Sequence, residues 1–426
     1  MIPELTVTEV RLTPVLVADP PLLNTQGVHQ PYTPRLIVEV VTAGGTTGLG
    51  ETYGDTKYLE LARPLADRLV GRSVTDVNAL FSLDLAVDES RVRGAVDAGG
   101  LRGVQSADKL RLSVLSAFEV ACLDAQGRAL GLPVHALLGG KLRDSVEYSA
   151  YLFYKWAAHP GADADEWGAA LDPAGVVAQA RALSERHGFS SFKLKGGVFA
   201  PEEEVAAVRA LAEAFPGRPL RLDPNGAWSV ATALKVADEL ADLLEYLEDP
   251  VLGTDAMAEV AARTGVPLAT NMCVTTFGEI KEAFGRDAVQ VVLSDHHYWG
   301  GLRNTGHLAA ICAAFGVGVS MHSNTHLGIS LAAMTQVAAT VPNLHHACDS
   351  HYPWQTEDIL TERVPFTAGH VTVSDRPGLG IDLDHDALAR LHHRWVHDDG
   401  TFRDRDDSAA MRVADPGWQI PTVPRW

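Results

Sequence analysis

The sequence predicts an α/β fold, a (β/α)8-type barrel preceded by an α+β capping domain, and three observations carry that reading. From about residue 140, eight short apolar runs alternate with Ala-rich segments of helical length, the signature of repeated β/α units around a parallel sheet. Six consecutive runs end on a polar residue: Lys195, Asp223, Glu248, Asn271, Asp295 and His322 are separated by 28, 25, 23, 24 and 27 residues, one β/α unit each. The first 130 residues lack this rhythm and mix strand-like with helix-like runs.

In the capping part, Leu5–Val17 and Arg35–Thr42 read as strands, and Tyr58–Val70 and Ser106–Ala129 as helices. Between the strands lies PPLLNTQGVHQPYT, broken by its prolines and glycine. An ordinary surface loop is its simplest reading, with Asn24 and His29 as groups that a ligand could use. The barrel runs are VEYSAYL (146–152), SSFKLK (190–195), PLRLDPN (219–225), LLEYLED (243–249), VPLATNM (266–272), AVQVVLSD (288–295), GVGVSMHS (316–323) and LHHACDS (344–350). Each but the last is followed by helix-like sequence. The expected division is a capping domain over 1–135, a barrel over 136–365, and a C-terminal segment over 366–426 that returns to the cap.

Composition narrows the partners. Among 426 residues, 35 Lys and Arg face 54 Asp and Glu, a net charge of −19, which repels phosphate backbones and anionic membrane surfaces. No nucleic-acid or membrane partner is expected. The four cysteines are far apart with no CxxC pair, which fits reduced thiols in the cytoplasm, and the N-terminus, with Glu4 and no basic stretch, is not a signal peptide. Residues 304–348 contain no Lys, Arg, Asp or Glu, yet the longest apolar run there, Leu308 to Val319, is short of the roughly 20 residues of a membrane span. Deep burial in a soluble fold is the expectation.

Catalytic groups of β/α barrels sit at the C-terminal ends of the strands, so the phased residues should share one mouth. Taken singly, KLK is a solvated strand end and DPNG a turn. Each bland reading would have to recur at the same place in successive units. The period of two puts Lys193 with Lys195, and Asp223 with Asn225, on one face of their strands. Asp223, Glu248 and Asn271 supply three oxygen donors from adjacent strands, a hard site suited to Mg²⁺. Zinc is the poorer alternative: His322 and His326 in HSNTH lack the Glu of HExxH, and the chain has no HxH. A divalent cation beside two lysines suggests proton abstraction from a carbon α to a carboxylate. Lys195 would be the base, Lys193 and the metal would hold the enediolate charge, and Lys193 and the metal would depress the Lys195 pKa. His322 would approach from the opposite side, oriented by Asp295.

KLK, DPN, LEDP, TNM, SDHH and MHSN in this order resemble the enolase superfamily, specifically its glucarate dehydratase group. The resemblance spans nearly the whole chain, including the RDD near the C-terminus. Asn271 discriminates most, because most of the superfamily places a carboxylate there. Lys on strand two with an Asp–His pair on strands six and seven also separates the chain from the muconate cycloisomerase type. The resemblance implies Lys195 as one base, and His322 with Asp295 as the other, His322 also protonating the leaving hydroxyl. It implies Mg²⁺ on Asp223, Glu248 and Asn271, and an enediolate stabilised by Lys193 and Asn225. Substrate contacts would come from His29, Tyr151, Ser323, Asn324, His351 and Arg405, with Arg405 clamping the distal carboxylate through its guanidinium fork. Ser106, standing where the family has Thr, would be a further contact.

The implied reaction is dehydration of an acid sugar dicarboxylate, D-glucarate and its C5 epimer L-idarate, to 5-keto-4-deoxy-D-glucarate. A homo-oligomer is the expected assembly. The alternatives are another acid-sugar dehydratase of the superfamily, since pocket loops set the sugar, and a non-catalytic or promiscuous paralogue, which would ordinarily have lost a base or ligand.

Overall fold

The computed structural model describes residues 2–83, 85, 87 and 107–426; Ser106 lies outside the described residues. Three antiparallel strands, Val7–Ala18, Tyr32–Thr42 and Thr47–Tyr53, form the capping sheet with the second in the middle. The first strand starts later than the run from Leu5 suggests, because Pro3–Leu5 is a 3-10 turn. The third strand is absent from the sequence reading, since its two glycines weaken a β pattern. Packing requires them: the helix Ala107–Leu130 lies so close that a Cβ on Gly48 or Gly50 would overlap the carbonyl oxygens of Ala121 and Ala117.

Eight parallel strands follow: Ser145–Phe153, Phe192–Lys195, Leu220–Asp223, Leu244–Glu248, Leu268–Thr270, Val291–Ser294, Gly318–Met321 and Cys348–Ser350. They pair in chain order from first to seventh, and the eighth pairs back onto the first. A bridge between Val319 and Leu344 all but closes the ring. All eight predicted runs are strands, and seven helices, from Pro173–His187 to Gly328–Ala338, separate them. After the eighth strand comes only the 3-10 turn Tyr352–Trp354.

His370–Thr372 adds an antiparallel strand to the first barrel strand. The chain then crosses to the cap, where helix His385–His397 packs on the first capping strand and Arg394 donates to the Leu16 carbonyl at 2.9 Å. The uncharged stretch is interior: every residue of helix Gly328–Ala338 is buried. Among the described residues, no helix is long and apolar enough to cross a membrane.

Buried carboxylates tie the cap to the barrel. Glu119, on helix Ala107–Leu130, accepts the N–H groups of Leu302 and Arg303 at 3.0 and 3.2 Å. These lie at the start of helix Leu302–Phe315, whose first turn has no partners of its own and carries the positive end of the helix dipole. Because that helix follows strand six, the contact seats the cap over the C-terminal ends of the strands.

Candidate active site

The phased residues do meet at those ends. Lys195, Asp223 and Glu248 close strands two to four with Lys193 two residues before Lys195, while Asn271, Asp295 and His322 each lie one residue beyond strands five to seven, and all are buried. Lys195 Nζ donates to Asp223 Oδ2 at 2.7 Å and to Asn225 Oδ1 at 2.9 Å. Strand alternation does not bring Asn225 there. The strand ends at Asp223, and Asn225 has a left-handed backbone with φ 55°, so DPNG is a turn whose asparagine reaches the lysine. The turn and site readings of that motif are both true.

Lys193 Nζ lies 2.5 Å from Glu248 Oε2, 2.9 Å from Asp349 Oδ2 and 3.6 Å from Asp223 Oδ2. Burial alone would lower its pKa, but Asp349 and Glu248 hold it well above the ordinary lysine value. The sequence reading gave Lys193 the task of depressing Lys195 and overlooked this ring of carboxylates. Asp349, the middle residue of strand eight, also accepts from Ser149 at 2.7 Å. Its position was legible, since 349 − 322 = 27 continues the one-unit spacing.

Asn271 Nδ2 donates to Glu248 Oε1 at 2.8 Å, leaving Asn271 Oδ1 buried without a hydrogen-bond partner. Burial, and then the neighbouring Asp223 charge, push the Glu248 carboxyl well above its ordinary range. An orphaned carbonyl oxygen beside two crowded carboxylates fits a hard divalent cation, which would use the free lone pairs and relieve the crowding. Asp249, next in LEDP, instead accepts from Thr270 Oγ1 and, at 2.8 Å, from the Asn271 N–H, fixing the turn that presents Asn271.

Across the mouth, His322 Nδ1 is 3.6 Å from Asp295 Oδ2. Asp295 is not reserved for His322 as the sequence reading has it: Oδ1 accepts from His297 Nδ1 at 2.8 Å and from the His297 N–H at 3.0 Å. Tyr53 of the capping sheet donates to Oδ2 at 3.3 Å. Burial, then the charges of Lys193 and Lys195, lower the His322 pKa, Asp295 opposing them. The neutral imidazole that results is the form able to act as a base.

The loop between the first capping strands is no surface loop. Residues 21–30 are all buried, folded into the small hairpin Leu23–Asn24 and Gly27–Val28. His29 stacks on His351 with ring centroids 5.7 Å apart. One residue that the sequence reading missed joins them: Asp19 Oδ2 lies 3.1 Å from His29 Nδ1, and Oδ1 lies 3.2 Å from His351 Nε2. An acidic residue at a strand end before two prolines gives no sequence signal of that role. Asn24 donates to Asp407 Oδ2 at 2.7 Å, and Asp407 Oδ1 accepts from Arg405 Nε at 2.9 Å. Arg405 is thereby fixed close enough for its charge to lower the His29 pKa, after burial. Ser323 Oγ accepts the His351 N–H at 2.9 Å, joining the loops after strands seven and eight. Tyr151 lies under Lys193, with Nζ 4.8 Å from its ring centroid. The Tyr151 hydroxyl, His29 Nε2 and Asn324 Nδ2 are buried without hydrogen-bond partners. These three atoms belong to residues proposed as substrate contacts and could each form a hydrogen bond with a ligand.

Residues 7–139 match the family described as "Mandelate racemase / muconate lactonizing enzyme, N-terminal domain", and residues 175–387 match "Enolase C-terminal domain-like". The chain is 78% identical, over 99% of both chains, to a probable glucarate dehydratase from Streptomyces coelicolor. It is similar to an enolase from Thermobispora bispora, complexed with magnesium and formate, at 53% identity and a TM-score of 0.94, covering 99% of this chain and 100% of that one. An enolase from Pseudomonas fluorescens with bound magnesium, potassium and tartrate is 46% identical with a TM-score of 0.94, covering 99% of each chain. With both domains matched and a near-full-length relative at that identity, the chain belongs to the enolase superfamily, among its hydro-lyases of glucarate dehydratase type.

Proposed function

We propose that the protein dehydrates D-glucarate and its C5 epimer L-idarate to 5-keto-4-deoxy-D-glucarate in a Mg²⁺-dependent reaction. The observation that supports this reading is the order of the strand ends, with Asp223, Glu248 and Asn271 on strands three to five between Lys195 on strand two and Asp295 and His322 after strands six and seven. The 78% identical relative and the magnesium of the neighbouring enolases support it.

Held by those three donors, Mg²⁺ would stabilise the negative charge that develops on the substrate carboxylate as its α-proton leaves. Lys193 adds a fixed positive charge beside that position, and Asn225 steadies Lys195 through its side-chain oxygen. For D-glucarate, His322 Nε2 takes the C5 proton while Nδ1 faces Asp295. It then returns a proton to the departing C4 hydroxyl, so C5–H and C4–OH are lost as water and the enol becomes the 5-ketone. For L-idarate the C5 proton lies on the opposite face, toward Lys195. Two bases on opposite faces let one site use both epimers. Free, buried cysteines support a reducing, cytoplasmic setting.

A distal carboxylate would be met by Arg405, His29 and His351, too many cations and donors for a neutral sugar end. D-glucarate should therefore exceed D-gluconate in kcat/KM by about tenfold or more, the worth of one charge-assisted contact. Steady-state assays of 2-keto acid formation test this, and equal values for the two acids would refute a dicarboxylate substrate.

Asp19→Asn should raise KM for D-glucarate by about tenfold while kcat stays within about twofold, because Asp19 orients two imidazoles without facing the reacting carbons. A fall confined to kcat would assign Asp19 a different task.

A further inference from the structure

Behind the Asp295–His322 pair lies a buried polar network that starts in the cap. Arg35, in the middle capping strand, donates to Glu51 Oε1 through Nε at 2.8 Å and lies 2.7 Å from it through Nη2. The two Glu51 oxygens also accept the N–H groups of Leu327 and Ser330, each at 2.9 Å. Those groups open helix Gly328–Ala338, which directly follows the loop carrying His322, Ser323 and Asn324. A carboxylate from the cap therefore closes the first turn of the helix that anchors the loop after strand seven. On the same strand as Glu51, Tyr53 donates to Asp295 Oδ2, the oxygen that faces His322.

His297 links these parts. Its Nδ1 meets Asp295 Oδ1 at 2.8 Å, and its Nε2 meets the Glu51 carbonyl oxygen at 2.9 Å. Ser330 Oγ, on the helix that Glu51 closes, also lies 3.2 Å from that Nε2, so one imidazole ties Asp295 to the Glu51 strand and to helix Gly328–Ala338. His297 thus occupies Asp295 Oδ1, and Oδ2 is turned toward Tyr53, His322 Nδ1 at 3.6 Å and His326 Nε2 at 3.7 Å. Among the described residues His322 Nδ1 makes no direct hydrogen bond, and the carboxylate 3.6 Å away is the acceptor that would draw its proton there and leave the Nε2 lone pair for the substrate.

We infer that His297 and the capping residues Tyr53 and Glu51 are positioning residues for Asp295 and His322, so the cap sets the tautomer and aim of the base after strand seven. This rests on the two-base reading above and extends it, since Lys195, hydrogen-bonded to Asp223 and Asn225, stands outside the network. The cap would thus act on one base and not on the other.

Tyr53→Phe and His297→Gln test this with two readouts. In ¹⁵N-histidine spectra of the full-length Mg²⁺-loaded protein, with the His322 signals assigned by their loss in His322→Asn, the wild type should show a single Nδ1–H tautomer for His322. Both variants should show a tautomer mixture. Partners that fix an imidazole from behind are worth about 10–100-fold in activity. The kcat for D-glucarate should fall by that factor, while Lys195-dependent exchange of the L-idarate C5 proton with solvent deuterium stays within about twofold. An unchanged His322 tautomer in both variants overturns the inference, as does an equal fall for the two substrates, which would mark a general loss of site structure. Should His297→Gln fail to fold, Tyr53→Phe, which removes one hydroxyl, carries the test. If the wild type acts on neither substrate, the proposed reaction has failed, and the tautomer comparison alone decides whether the cap positions His322.

Discussion

His322→Asn is expected to lower D-glucarate dehydration by about 10²–10⁴-fold, the worth of a general acid–base group, while the C5 proton of L-idarate still exchanges with solvent deuterium. The asymmetry follows from placement. His322 follows strand seven and faces Asp295, whereas Lys195 ends strand two and is held by Asp223 and Asn225. Asparagine roughly preserves the shape at His322 but cannot take a proton. Lys195→Ala should show the opposite pattern, losing exchange at L-idarate. The two variants are best compared by following deuterium at C5 by NMR alongside 2-keto acid formation. If His322→Asn keeps D-glucarate turnover within a few-fold of wild type, the assignment of the base is wrong and the proposed reaction falls with it.

The second large effect concerns the donor set. Excess chelator should abolish D-glucarate turnover and Mg²⁺ should restore it, because two lysines already engaged by carboxylates offer little to a developing dianion. Glu248→Ala should resemble the chelated enzyme, with activity reduced at least about 10³-fold at any practical Mg²⁺ concentration, an effect of the order that lost electrostatic stabilisation produces. Thermal melting gives a reading independent of turnover. Binding to the folded state alone adds about 2.7 kcal/mol at a hundred times Kd, so Mg²⁺ should raise the Tm of the chelated wild type and leave Glu248→Ala nearly unmoved. The variant should still fold, since Lys193 keeps Asp349 at 2.9 Å. Full activity after exhaustive chelation would remove the metal from the proposal.

What could be read from the sequence was whatever repeats along the chain. A β/α unit has a nearly fixed length and its functional end always points the same way, so residues one unit apart had to share a mouth, and Lys195, Asp223, Glu248, Asn271, Asp295 and His322 were legible from spacing alone. Asp349 obeys the same spacing and was open to the same reasoning. The roles proposed for His29, His351 and Arg405 rest on resemblance, because nothing local to a loop or a C-terminal segment says which site it covers.

Only the tertiary structure decided the partnerships. Asp19 lies 332 positions from His351, yet its carboxylate joins that imidazole to His29. Glu51 closes a helix that begins 277 positions later, and Tyr53 reaches the carboxylate that the sequence paired with His322 alone. Gly48 and Gly50 obscured the strand that carries both residues, since the glycines answer to a helix packed against that strand and not to the strand's own periodicity. Periodicity records which way a side chain points from its own element. Which acceptor it meets depends on how the cap is seated on the barrel, and that is fixed by contacts between residues hundreds of positions apart.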